Sequence, residues 1–156
     1  MTPGGESGNH DRSARDPRTR VALDRLIPSD VREIEPIVEQ VTQHCRVLEL
    51  SARQCAFNVP VALTEALSNA ILRGNQGVRE KQVRVRAMVS DSSLVLEVAD
   101  EGEGFDLDAC TEDPTRPENI EREDGRGLFL MRSLMDRVER FDDDERNVVR
   151  LTIHRS

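Results

Sequence analysis

Glu65 and Asn69 stand four residues apart in TEALSNAILRGN, so a helix there stacks a carboxylate and a carboxamide on one face. From the spacing alone, a polar stripe on an otherwise apolar helix reads the same way. Asp100-Glu101-Gly102-Glu103-Gly104 begins where a hydrophobic strand ends. Its two glycines let a ligand or backbone come close, and Asp100 at a strand end can accept a hydrogen bond from an amino group. An acidic turn would read the same way. Gly125-Arg126-Gly127 precedes an apolar period that starts at Leu128. Glycines opening a helix leave free N–H groups at its positive end, and Arg126 adds a charge, which suits an anion. A flexible loop before an ordinary helix is the alternative.

Better-known motifs fail on the same residues. A dinucleotide fingerprint wants glycine at 107, where Leu107 stands, and a calcium loop counted from Asp100 finds Phe105 and Thr111 at its glycine and glutamate positions. A Walker loop needs Gly-Lys, but the single lysine, Lys81, follows Glu80. Cys45, Cys55 and Cys110 are odd in number and lack metal-ligand spacing, so they read as reduced packing residues. His10, His44 and His154 have no neighbours that would make one of them a base or a phosphoacceptor.

The elements that must position these residues follow from periodicity. Residues 1–20 have scattered apolar side chains without a period and are predicted to be a disordered tail, leaving one domain over 21–156. Val21, Leu23, Leu26 and Ile27 predict a strand. Asp30 and Glu33, at capping-box spacing, open a helix in which Pro36 should force a kink or a restart. A second helix starts near Pro60 and stops at Gly74-Asn75-Gln76-Gly77. The alternation Val83 to Val89 and Leu94 to Val98 predicts a hairpin. Leu128, Met131, Leu134, Met135 and Val138 predict a third helix, followed after a polar turn at 142–147 by a strand with Val149, Leu151 and Ile153. The order predicts an α+β two-layer sandwich: a mixed, mainly antiparallel sheet with helices on one face.

In order along the chain, the three motifs resemble the Bergerat-type ATP-binding fold of gyrase, the ninety-kilodalton heat-shock chaperone, sensor histidine kinases and the mismatch-repair MutL proteins. Within that superfamily the stretches TEALSNAILRGN, VADEGEGFD and DPTRPENIEREDGRGLFLMRSLMDRV are similar to the small anti-sigma-factor serine/threonine protein kinases. The resemblance implies ATP and Mg2+ as cofactors. Asn69 would ligate the metal, Glu65 would act as the catalytic base, and Asp100 would take the adenine amino hydrogen with Gly102 and Gly104 making room. Gly125, Arg126 and Gly127 would hold phosphates, Thr152 would stand near the adenine, and residues 105–124 would form a lid, with Arg122 near a phosphate-sensing position. Asp124 departs from the glycine common at its position, and Arg73 from a histidine. The implied partners are a STAS-type anti-anti-sigma protein as substrate, a sigma factor and a second copy of the chain. A nucleotide-gated binding module without phosphotransfer is the second reading, and a water-activating ATPase the third.

Charge and composition agree with a small acidic regulator. The 156 residues carry a net charge of −8 with no Trp or Tyr, which argues against direct nucleic-acid binding. Residues 100–124 alone sum to −9. No stretch reads as a membrane span or a signal peptide, so a cytoplasmic location is expected.

Overall fold

The computed structural model describes residues 19–102, 123–143 and 145–155. Among the described residues five strands form one sheet: β1 (Arg20–Pro28), β2 (Gln82–Val89), β3 (Ser93–Asp100), β4 (Arg137–Asp143) and β5 (Arg146–His154). Their spatial order is β1-β2-β3-β5-β4, and every neighbouring pair is antiparallel. The sheet is thus the antiparallel member of the expected pair of alternatives. Arg20, assigned to the tail by composition, is the first residue of β1; residues 1–18 lie outside the described residues.

Three helices cover one face. The alternating side chains of Val83, Val85, Ala87, Val89, Leu94, Leu96, Val98, Leu151 and Ile153 point toward them and are buried. Helix α1 (Ile34–Val47) is entered through a single 3-10 turn, Val31–Glu33, whose first N–H groups are met by Asp30. The Asp30 carboxylate accepts from the N–H of Arg32, at 2.9 Å, rather than from that of Glu33 as a capping box requires. Pro36 falls in the first turn of α1, where no intrahelical N–H is needed, so the expected restart occurs at Ile34 and no kink follows.

Helix α2 (Val59–Asn69) is central, packed between α1, α3 and the sheet, and continuous with a π-helical turn at each end, Gln54–Asn58 and Ala70–Gly74. Leu63, Leu67 and Ile71 are essentially fully buried, and each such side chain contributes about 1.5–3 kcal/mol. The fused stretch Gln54–Gly74 spans 21 residues and contains an 18-residue window with a mean hydropathy of 1.3, long and apolar enough by composition to cross a bilayer. That corrects the sequence reading, which treated its pieces separately. Its apolar residues form the core against the sheet.

Helix α3 (Glu123–Leu134) begins five residues before the expected start at Leu128, and Val138 lies not in it but in β4. The strand RVERFDD buries few apolar residues, so its alternation is faint and Val138 continued the helical count instead. The ends of the expected 142–147 turn are ladder residues, with Asp142 opposite Asn147 and Asp143 opposite Arg146.

Candidate functional site

Helix α2 brings Glu65 and Asn69 to the surface that α3 covers. Both are half-buried, and the helix that follows lies against them through Gly127. A Cβ at Gly127 would stand 2.8 Å from Glu65 Oε1 and 3.4 Å from Asn69 Nδ2. A side chain at 127 would require the Glu65 carboxylate to shift, and glycine lets α3 lie this close with Glu65 in place. Asn69 Nδ2 is buried and has no hydrogen-bond partner among the described residues. An orphaned amide beside a carboxylate fits a Mg2+ site, because turning the amide about its bond presents Oδ1 at that position. Among the described residues no group of three or more His, Cys, Asp or Glu is placed to hold a metal ion, so a metal here would rest on Asn69 and the phosphates.

The sequence expectation for Gly125-Arg126-Gly127 needs correction in one respect. They lie inside α3, not before it, and only Gly125 falls among the first N–H groups that a helix leaves open. Glycine's poor helix propensity had moved the predicted start to Leu128. Gly127 is buried and works by close approach, while Arg126 is exposed.

The second centre lies at the far end of α2. Asn69 stands five residues before Gly74, about 7 Å along the helix axis, and at Gly74 a side chain would collide with the Asp100 carboxylate. Gly102 is as tightly placed, since a Cβ there would run into the Gly74 carbonyl oxygen. Asp100 is 5% exposed and faces the helices. Its Oδ1 accepts the N–H of Gly102 at 3.0 Å and Asn147 Nδ2 at 3.4 Å. Burial pushes the Asp100 carboxyl above the usual range, opposed by the Asn147 and Gly102 hydrogen bonds and by Arg140 and Arg146. A desolvated carboxylate held by neutral donors is a strong acceptor for an amino group.

Asn75 completes this end. It is fully buried, accepts the N–H of Glu101 on Oδ1 at 2.8 Å, and donates from Nδ2 to Ser29 Oγ at 2.8 Å and the Gln82 carbonyl at 3.1 Å. The sequence reading used Gly74 and Asn75 only as parts of a helix stop and Asn147 only as the end of a polar turn, and gave none of them a place in the site. Asn147 could have been found: it keeps the parity of Val149, Leu151 and Ile153, the inward face.

Thr152 is not brought to Asp100. It pairs with Val95, whereas Asp100 pairs with Asn147, and its parity puts it on the outer face of the sheet. Arg73 is exposed in the last turn of the α2 extension. Cys45 and Cys55 are buried free thiols, and desolvation pushes Cys45 up to about 12, so it stays protonated, as expected of a packing residue. His44 is half-buried on α1 and His154 exposed at the end of β5. Gly104, Cys110, Arg122, His10 and the body of the expected lid lie outside the described residues.

Comparison with known proteins agrees with this geometry. The profile of the histidine kinase-like ATPase domain matches residues 27–153, from the end of β1 to β5. The serine-protein kinase RsbW of Bacillus subtilis (strain 168) is 34% identical over 86 residues, covering 52% of this chain and 54% of the relative. RsbW of Listeria monocytogenes is 28% identical over 97 residues, 59% of this chain and 62% of the relative. The anti-sigma F factor of Bacillus cereus (strain AH187) is 29% identical over 112 residues, 70% and 65%. The chain spans about half the length of the RsbW of Bacillus subtilis. With the profile running from the last two residues of β1 through β2, β3 and β4 to Ile153 in β5, and with the antiparallel sheet, the three covering helices and the two glycine-mediated contacts inside it, the chain belongs to the histidine kinase-like ATPase domain family.

Proposed function

We propose that the protein is an ATP- and Mg2+-dependent serine/threonine protein kinase and anti-sigma factor, which phosphorylates a STAS-type anti-anti-sigma protein and holds a sigma factor when that antagonist is inactivated. The observation that carries the reading is the convergence of Glu65 Oε1 and the Asn69 amide on the same bare Cα of Gly127. A positioned base is what separates transfer from mere binding. The names of the matched relatives, a serine-protein kinase and an anti-sigma factor, support the same class.

In this mechanism Asp100 accepts the adenine amino hydrogen and Gly104 leaves room for the base, while Gly102, expected to do the same, instead makes room for the Gly74 carbonyl and lets the turn close on the helix. Gly125, Arg126 and Gly127 line the phosphate side. Bound through Asn69, Mg2+ would neutralise phosphate charge, a task that a chain without a Walker lysine leaves largely to the metal. Glu65 orients the acceptor hydroxyl and takes its proton as the hydroxyl oxygen bonds to the γ-phosphorus. The bond from that phosphorus to the bridging oxygen breaks, and ADP leaves. Such a base contributes about 10²- to 10⁴-fold. A cytoplasmic location and a homodimer complete the proposal.

The test is transfer of label from γ-labelled ATP to a purified STAS protein encoded beside this chain. Glu65→Gln is expected to lower transfer at least about 100-fold with ATP affinity unchanged. Equal loss of both would remove the base assignment, and ATP-dependent partner capture without any transfer would favour a nucleotide-gated binding module.

A further inference from the structure

Asp100 has two carboxylate oxygens in unequal circumstances. Oδ1 takes both hydrogen bonds, from Gly102 and Asn147, and no described residue donates to Oδ2. We propose that Asn75 and Asn147 are positioning residues for nucleobase recognition, clamping the Asp100–Gly102 turn from two sides so that Asp100 presents Oδ2 to an exocyclic amino group. The proposal rests on reading Asp100 as the adenine acceptor.

Asn147 acts from the β5 side. Its Nδ2 donates to Asp100 Oδ1 at 3.4 Å and to the Gly102 carbonyl at 2.6 Å, using both of its protons on the turn. The cross-strand pairing of Asp100 with Asn147 fixes this register. Asn75 acts from the helix side. Its Oδ1 holds the N–H of Glu101, the residue between the two that Asn147 touches, and its own N–H closes the last π turn onto Ala70, at 2.8 Å. Its two amide protons fasten that turn to Ser29 at the end of β1 and Gln82 at the start of β2. Three consecutive residues of the turn are therefore held by two side chains.

The residue type matters as much as the place. A guanidinium at either position would also satisfy Asp100, but it would occupy both oxygens and neutralise the charge that the base must meet. An amide supplies direction without charge, so the carboxylate keeps Oδ2 without a donor among the described residues and most of its acceptor strength. Each asparagine has its Nδ2 doubly used, and neither is free to bond the base itself.

Calorimetric affinities of the full chain for ADP and GDP test the assignment without any need for phosphotransfer. Asn147→Leu is expected to weaken ADP about 10-fold and GDP little, so the preference for ADP falls about 10-fold. Asn147→Asp, of the same shape but with an acceptor facing Asp100, should weaken ADP further. Asn75→Asp keeps the acceptor for Glu101 and loses both donors; should it fail to fold, the Asn147 pair still decides. Folded Asn147 variants that bind ADP like the parent, or lose ADP and GDP equally, overturn the proposal. Asp100→Asn is measured beside them. If it collapses the preference while Asn147→Leu does not, only the clamp is wrong. If the parent shows no preference, or Asp100→Asn leaves it intact, the adenine reading falls and takes the clamp with it.

Discussion

Strand β3 carries two buried carboxylates three residues apart, on opposite faces of the sheet, and they are treated differently. Glu97, 6% exposed on the outer face, receives Arg150 through Nε and Nη2, both at 2.9 Å, with Arg86 at 3.4 Å on its other oxygen. Arg150 is itself 1% exposed, lies 3.8 Å from Glu139, and stacks 4.6 Å from the centre of the Phe141 ring. Asp100, on the inner face, receives only neutral donors among the described residues, both on Oδ1, which leaves Oδ2 without a donor there. One carboxylate is neutralised within the fold; the other keeps a charge for something that arrives. Burial alone therefore does not mark a functional acid, and the chemistry of its partners does.

The largest test of that contrast is Arg150→Ala. It strands Glu97 in a dry place and should cost about 3–5 kcal/mol of stability, read by chemical denaturation, with ADP affinity unchanged in the folded fraction. The double change Glu97→Met with Arg150→Met should recover most of the loss, since a buried ion pair and its apolar replacement are often near equal. Asp100→Asn should do the reverse. ADP binding should weaken by about 1.5–3 kcal/mol through loss of a charge-assisted hydrogen bond, while the protein remains at least as stable. A drop in stability like that of Arg150→Ala would erase the distinction between the two acids.

Next in size, Gly127→Ala puts a methyl against Glu65. Overpacking there should cost about 1–3 kcal/mol and reduce transfer more than ADP affinity, as single-turnover rates and calorimetry would reveal. The smallest effect is in pH. The folded-state carboxyl of Asp100 is raised above its unfolded value, so its contribution to folding is most favourable at acid pH and declines as pH rises through the folded value. Binding has the opposite sign, because the amino group needs the ionised form. ADP affinity should fall on acidification at a pH above about 4, where an ordinary aspartate titrates, and Asp100→Asn should flatten that limb.

How far the sequence carried this picture depends on what each residue answers to. Local signals were reliable: the 3.6-residue period of Leu63, Leu67 and Ile71 and the alternation of Val83 to Val89 each declare an element, and both are found. Glu65, Asn69 and Asp100 were legible because strands, helices and glycines bracket them. Relations between distant segments were not. Asn147 meets Asp100 only through the pairing of β3 with β5, and β4, which separates β5 from the sheet edge, hides behind its polar composition. Thr152, which the family resemblance implied, lies on the opposite face of β5 from Asn147. Gly74 looked like a helix stop, whereas its empty side chain is what admits the Asp100 carboxylate.

The π-helical turn Ala70–Gly74 has one more consequence, which concerns chain length rather than side chains. A π turn holds one residue more than the α turn it replaces, and removing a single residue from a helix rotates everything beyond it by about 100°. Deleting one residue between Asn69 and Gly74 would give a more regular helix, yet it would turn the bare Cα of Gly74 away from Asp100 and withdraw Asn75 from Glu101. Change by substitution is open to this segment, but change by insertion or deletion is closed to it, so the five-residue interval from Asn69 to Gly74 acts as a ruler between the two ends of the site.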